Sequence, residues 1–288
     1  MIAIAPTYLN ASIYLYPSVN AANEGLAAGG SGFIVAVQSQ TKENMGHLYA
    51  VTNRHVLDGG NHFIRFNTFA GSRTVATQPE DWTVAVDDDL AVIPFDAHDD
   101  WTPGFIDTAV FLNADCEIEG FPIFPGDDVM LFGRFVTHDG QARNNPVVRF
   151  GNISMLPDDS VPVEVGDTRQ VAFLVECRSL GGFSGSPAFV KLVGSRLGGP
   201  KRGFIPTNQL RFLGIDCAHL PFWSQLSTKR SRASQVPDMW VETNSGMAVV
   251  IPAWRLLALL SDPQLLKRRE KEDATLAELQ AEPDPRRD

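Results

Sequence analysis

The chain is poor in cysteine, short of basic charge and free of long apolar runs, and each shortage excludes something. Cys116, Cys177 and Cys217 are the only cysteines in 288 residues. An odd count with no paired spacing excludes a disulfide framework and suits reduced thiols. No CxxC pair and no Cys/His ligand spacing occurs, so neither a metal nor any other cofactor is expected. The acidic runs Asp87–Asp89 and Asp127–Asp128 lack the alternating oxygen ligands of a calcium loop and read as solvated turns. Lys and Arg number 24 against 34 Asp and Glu, a formal charge of −10, the opposite of a nucleic-acid binder's balance. No apolar stretch reaches the roughly 18 residues of a membrane span. The amino-terminal stretch has no basic residue before Lys42, and Pro6 and Asn10 interrupt its apolar run, so it does not read as a secretory signal. A soluble, cytoplasmic protein is expected, with no nucleic-acid or membrane partner. Its oligomeric state is left open.

What is present is a fold of short strands. Hydrophobic residues make up 44% and charged residues 20%, a globular balance that excludes a disordered chain. The 24 glycines and 19 prolines exceed average usage and suit many turns. Segments such as GFIVAV (32–37), LYAVT (48–52), LAVIPF (90–95), VAFLVEC (171–177) and MAVVIP (247–252) are short, β-branched and bounded by turn residues. Their close spacing predicts an all-β sandwich or barrel and not repeated βαβ units. The Pro-, Gly- and Asp-rich stretch 101–128 is the candidate linker between two halves. Only the carboxyl end reads helical. Trp254, Leu256, Leu257 and Leu260 follow Pro252, and 264–282 continues at helical spacing until Pro283. Its mixed charges predict a solvated helix capping the barrel, not a partner-binding one. The polar stretch 221–245, with Lys229, Arg230 and Arg232, is expected to be a mobile surface loop.

Three local patterns carry chemistry. YAVTNRHVL ends a strand in a turn bearing His55, DDDLAVIPF places Asp89 at the opening of an apolar strand, and SLGGFSGSPAF sets Ser184 among glycines before another strand. A serine hydroxyl is a weak nucleophile that needs an adjacent base. Imidazole, with an ordinary pKa of about 6.5, suits that role near neutrality. A carboxylate fixes the imidazole tautomer and stabilises the imidazolium formed in attack. Glycines around the serine permit unusual backbone angles and leave amide N–H groups uncovered for an oxyanion. Singly these patterns are weak; in this order, each at a strand, they are strong.

Together they identify a resemblance to the chymotrypsin/trypsin-like serine peptidases, and within them to the bacterial HtrA/Deg-type branch. TNRHV resembles that branch's TNxHV motif, DDLAV its D-[IL]-A-V motif, and GFSGSP the GxSGGP nucleophile motif. GGSGFIV (29–35), VRFGNISML (148–156), FLGIDCAHL (212–220) and GMAVVIPAW (246–254) extend the match over about residues 10–260. The resemblance implies two perpendicular six-stranded β-barrels with a carboxyl-terminal helix. Residues 10–115 would form the barrel carrying His55 and Asp89, 116–252 the barrel carrying Ser184, and 253–288 the helix and charged tail. It also implies a catalytic triad of these three residues, with the backbone N–H groups of Gly182 and Ser184 as oxyanion donors. Serine endopeptidase activity on protein or peptide substrates, without cofactor, follows as the leading expectation.

Departures from the family pattern also carry meaning. Phe183 stands where trypsin-type zymogens place the aspartate that pairs with a newly cut terminus, so activation by that ion pair is excluded. Ser186 replaces the second glycine of GxSGG, and no segment of PDZ size follows residue 252. The rival readings are a protease-fold binding or regulatory protein with little turnover and a serine esterase. The order His–Asp–Ser and the lack of a strand–helix GxSxG elbow disfavour the α/β-hydrolase version of the latter. By the same resemblance the substrate pocket falls between 177–182 and 214–220, with Arg178, Asp216, His219 and Ala248 as its candidates. An unpaired buried charge costs several kcal/mol, so Arg178 and Asp216 are expected to pair or turn outward. That predicts a small or medium apolar substrate residue before the cut.

Overall fold

The computed structural model describes residues 6–281 except 27–28, 43–44, 119, 136–139, 141–142, 178–180, 198–203 and 228–234, with backbone alone at 193–197, 204–209, 227, 235–238 and 279–281. A short helix α1 (Pro6–Asn10) leads into β1 (Ser12–Tyr16), followed by α2 (Val19–Glu24), β2 (Ser31–Gln38) and β3 (Gly46–Thr52). After the one-turn helix α3 (Arg54–Asp58) come β4 (Phe63–Thr68), β5 (Gly71–Ala76), β6 (Thr83–Val84), β7 (Ala91–Pro94) and β8 (Ile106–Asp107). These strands form one sheet in the order β5-β4-β1-β2-β3-β7-β6, with β8 parallel to β2. The pairing thus differs from a six-stranded closed barrel. It ends at β5, whose residues are half-buried or exposed, and at the two-residue β6.

The chain crosses to the second half beside Phe111, which bridges to Phe212, and Leu112, whose N–H bonds the Phe212 carbonyl. A small hairpin of β9 (Glu117–Ile118) and β10 (Phe121–Pro122) follows. Then come β11 (Asp128–Gly133), β12 (Val147–Met155), the hairpin β13 (Val163–Val165) and β14 (Thr168–Gln170), β15 (Phe173–Glu176), β16 (Ser186–Leu197), β17 (Phe204–Ser227) and β18 (Gln235–Pro252). The six strands β11-β12-β15-β18-β17-β16 close into a barrel. Within the expected loop, the described parts 221–227 and 235–245 are instead the outer part of the long β17–β18 ribbon, with Phe222 opposite Thr243 and Gln225 opposite Trp240. Neither PFWSQL nor MWVET alternates apolar with polar residues, so the period of two that marks a half-buried strand is absent there and the overall polarity favours a loop reading. Lys229, Arg230 and Arg232 lie outside the described residues.

Strand periodicity explains why the central segments are continuously apolar. Phe33 and Val35 of β2, Tyr49 and Val51 of β3 and Val92 of β7 turn toward the junction of the two halves, while Ile34, Ala50, Ala91 and Ile93 turn into the first half's own core. Successive side chains point to opposite faces, so strands covered on both faces are apolar at every position. Across the junction Phe33 meets Phe212 at 5.4 Å between ring centroids, and on the barrel side Phe189 packs on Phe132 and Phe212 at 5.6 Å each. A polar clasp adds to this. Asn144, from the segment before β12, donates through Nδ2 to the carbonyl of Arg65, accepts from Arg65 Nε and exchanges two bonds with Asn67.

The carboxyl end forms α4 (Ala253–Leu260) and α5 (Pro263–Ala281), with the break at a proline that tolerates only the first helical turn. Leu256 and Leu260 of α4 join the junction core. In place of a merely solvated cap, α5 is fastened across β3. The Arg269 guanidinium bonds Tyr49 Oη and the Leu260 carbonyl. His47, buried, faces Glu272 through Nδ1 at 2.7 Å and Asp273 through Nε2 at 3.1 Å. Burial works to raise both carboxyls, but bonds from Arg268 and His47 hold Glu272 below its ordinary range, and those from Ser39 and His47 do the same for Asp273. Carboxyls depressed in the folded state contribute fully above their unfolded values, about 4, and less as pH falls through the folded ones. Thermal unfolding followed against pH is therefore expected to steepen below about pH 4 in the native chain. A Glu272→Gln/Asp273→Asn variant should unfold a few degrees lower at neutrality and show a flatter acid limb.

Candidate active site

His55 and Asp89 are brought together by the end of β3 and the entry to β7. Asn53 precedes α3, and its Nδ2 donates to the Asp89 carbonyl at 2.8 Å. Both carboxylate oxygens of Asp89 serve His55. Oδ1 accepts the His55 backbone N–H at 2.9 Å, and Oδ2 faces Nδ1 at 2.6 Å. A carboxylate can only accept, so Nδ1 carries the proton and Nε2 is left as the acceptor. The imidazole is half exposed and the carboxylate less so, at 49% and 21%, which leaves the ring open to a substrate. The Asp89 N–H points at Gln170 Oε1 from the β13–β14 hairpin side, 3.4 Å away.

Ser184 lies in a tight turn between β15 and β16. Gly182 and Gly185 adopt φ of 92° and 86°, the left-handed region that only glycine enters without strain. A Cβ on Gly185 would also meet the Ser31 carbonyl oxygen at 2.0 Å. The turn is closed by Ser186 N–H to the Phe183 carbonyl and Gly185 N–H to the Asp216 carbonyl, both 2.8 Å. Among the described residues, the N–H groups of Gly182 and Ser184 meet no acceptor. Two uncommitted N–H groups flanking a serine hydroxyl have the donor chemistry an oxyanion requires.

The turn is held against the first half by Ser31, which opens β2 and is fully buried. Its N–H donates to the Ser184 carbonyl at 2.8 Å and its Oγ to the Gly182 carbonyl at 2.7 Å. The same Oγ accepts from the Arg134 N–H, and the Ser31 carbonyl accepts from Thr52 Oγ1, each at 2.8 Å. Next to it, a Cβ on Gly30 would lie 2.5 Å from Val56 Cγ2 and 3.2 Å from the Ser184 carbonyl oxygen. One backbone position is therefore wedged between the residue after His55 and the serine's own carbonyl.

A cavity of about 660 Å³ opens beside His55 and Asp89, walled by Gln170, Thr168, Cys217 and Ala218. A larger one of about 770 Å³ lies away from these residues, between α5 and β3. Of the residues expected in the substrate pocket, Arg178 lies outside the described residues. Asp216 and Ala248 are fully buried, Asp216 on β17 opposite Ser186 and Val250. His219, half-buried and opposite Ala248, is the one of the described three that reaches the surface. The neighbouring thiols are poor nucleophiles. Burial, with the Asp216 charge adding to it, pushes Cys217 well above the ordinary range and Cys177 up to about 11. Ser31, Thr52 and Gln170 escape residue-by-residue reading of the sequence. The first sits inside the quoted GGSGFIV run, but nothing in that run shows its reach across 151 residues to Gly182.

The chain belongs to the trypsin-like peptidase family: the family model of the trypsin-like peptidase domain matches residues 30–194, more than half of the chain. No curated protein matches the sequence significantly. Among solved structures, the chain is similar to the MamO protease domain from Magnetospirillum magneticum, at 19% identity over 89% of this chain and 98% of that one, with a TM-score of 0.46. It is similar also to an inactive form of the Rv3671c protease from M. tuberculosis H37Rv, at 13% identity, 89% and 87% coverage and a TM-score of 0.44. A third likeness is to the NS6 protease from murine norovirus 1, at 13%, 82% and 93%, with a TM-score of 0.36. The family assignment rests on the sequence match and not on these likenesses.

Ser31→Ala is expected to leave the buried Gly182 carbonyl and Arg134 N–H without their partner. Equilibrium unfolding in urea should show a loss of about 1–3 kcal/mol, whereas Thr74→Ser on the half-exposed edge strand β5 should change stability by well under that amount.

Proposed function

We propose that this chain is a serine endopeptidase in which Ser184 is the nucleophile, His55 the general base and acid, and Asp89 the group that orients His55. The observation that carries the reading is the double engagement of His55 by Asp89, which leaves Nε2 free to accept a proton. Ser184 Oγ attacks the scissile carbonyl carbon while its proton passes to His55 Nε2. The carbonyl oxygen becomes an oxyanion held by the Gly182 and Ser184 N–H groups. Collapse breaks the C–N bond, and the amine leaves with the proton from Nε2. Water then repeats the cycle on the acyl-serine, giving the acid and restoring Ser184.

Two further features support details of this reading. Phe183 is fully buried, with the Arg149 guanidinium 5.1 Å from its ring centre. The position before the nucleophile is thus filled by an aromatic side chain, and we infer an active site that needs no ion pair with a newly cut terminus. The burial of Asp216 and Ala248 favours a small or medium apolar substrate residue before the cut. Three cysteines outside any disulfide support residence in a reducing compartment such as the cytoplasm.

Fluorophosphonate labelling with peptide turnover tests the assignment. Ser184→Ala should lose labelling and cleavage together, with thermal stability nearly unchanged, and His55→Ala combined with it should add little. Asp89→Asn should retain the fold and lower kcat by about 10⁴. Labelling with ester turnover alone identifies an esterase, and no labelling identifies a binding protein. A peptide-library profile dominated by Arg/Lys or by Asp/Glu before the cut overturns the apolar preference.

A further inference from the structure

The barrel strands β17 and β18 continue well past the barrel. β16 begins at Ser186, opposite Asp216, and β15 meets β18 no further out than Met247. Beyond those points, apart from the Gly246 carbonyl, which accepts from the Cys177 N–H, the two strands pair only with each other among the described residues. A two-stranded ribbon standing alone exposes both faces and both edges to solvent. This one is not made polar to suit. Phe222, Trp223, Met239 and Trp240 are 58%, 54%, 51% and 56% exposed, with Leu226 and Val241 partly so. Directly opposed residues share a face. Phe222, Thr243, Ser224 and Val241 therefore lie on one side, and Trp223, Glu242, Gln225 and Trp240 on the other. Glu242 is the single charged side chain in 220–226 and 239–246. A cluster of large apolar side chains on a thin arm marks an interaction surface.

Its position indicates the partner. Cys217 and Ala218 of β17 wall the cavity beside His55 and Asp89, and Phe222 stands four residues further along the same strand. The outer edge of β17 is thus one continuous open edge from the proposed active site to the aromatic arm. An extended chain laid on such an edge gains main-chain hydrogen bonds along its length and places alternate side chains on either face. We propose that the arm is a docking strand for the polypeptide substrate, selecting extended segments with apolar side chains several residues away from the cut. The proposal rests on the endopeptidase reading, since the cleft next to the arm is what commits it to a substrate.

The test uses the full chain carrying Ser184→Ala, which binds without cutting, and a long Trp-free peptide alternating valine and threonine between lysine ends. Trp82 and Trp101 are buried and Trp254 is half-buried against Phe173, so the test chain also carries Trp254→Phe, and its tryptophan emission and acrylamide quenching report largely on the arm. Saturable blue shift and protection by the peptide are expected. Trp223→Ser and Trp240→Ser should each weaken binding about tenfold, the loss of one apolar contact, and Trp223→Phe should restore most of it. Unchanged far-ultraviolet circular dichroism certifies the variants, which lie outside both cores. Absence of any shift overturns the proposal. So does a shift produced by phosphatidylglycerol vesicles and not by the peptide, which makes the arm a membrane contact. Burial of both tryptophans by concentration-dependent dimerisation without peptide overturns it equally. Labelling of the native chain by fluorophosphonate is read separately. Labelling without peptide binding removes the docking role alone, whereas peptide binding without labelling supports the arm and removes the peptidase reading.

Discussion

The four hydrogen bonds of Ser31 are the constraint on which the site depends. The Ser184 turn, with two left-handed glycines, has no regular structure of its own to hold it, and its conformation must be imposed from outside. Ser31 imposes it from the opposite half of the molecule, through its N–H on Ser184 and its hydroxyl on Gly182. Its remaining groups are tied to Thr52 and Arg134, so the anchor is itself fixed. Thr52 ends the strand that delivers His55. One buried serine therefore relates the turn bearing Ser184 to the strand bearing His55, and any displacement of one half against the other is felt at both.

That anchor works only because the halves cannot slide. The junction is filled by the outward faces of β2, β3 and β7 and by Phe132, Phe189, Phe212 and Ile251 from the barrel. Interiors of this kind are close-packed and resist small displacements. The Asn144 clasp adds directional bonds that a purely apolar junction lacks, and α4 closes the same core with Leu256 and Leu260. Fixed geometry is what the proposed chemistry requires, since positioned donors stabilise an oxyanion only if they need not reorganise.

The three proposed catalytic positions stand out in the sequence because each has a distinctive neighbourhood: a strand end before His55, an apolar strand after Asp89, glycines around Ser184. The strands were legible where both faces are buried, since LYAVT and LAVIPF leave no helical alternative. Ser31 was not, because a serine in GGSGF looks like any turn residue until its partners, more than a hundred residues away, are known. The ribbon over 221–245 was missed for a related reason. Its composition is that of a loop, and PFWSQL and MWVET lack the period of two that marks a half-buried strand. The fastening of α5 to His47 was hidden too, because a charged helical face reads as solvated until a buried histidine is found beneath it.

The two carboxyl-terminal additions to the barrel follow opposite physical rules. The α5 contact is polar and fully matched, with a ring nitrogen, a guanidinium and a hydroxyl each opposite an acceptor, so it stabilises its own chain and presents little to anything else. The arm is apolar, and its large side chains are exposed among the described residues. Leaving Phe222, Trp223 and Trp240 in water forgoes roughly 1.5–3 kcal/mol for each large side chain that burial would return. A sequence that hides apolar residues on both faces of its central strands has the means to hide these as well. Their exposure beside the cleft is therefore an open contact, which a bound polypeptide chain would complete in the proposed docking role.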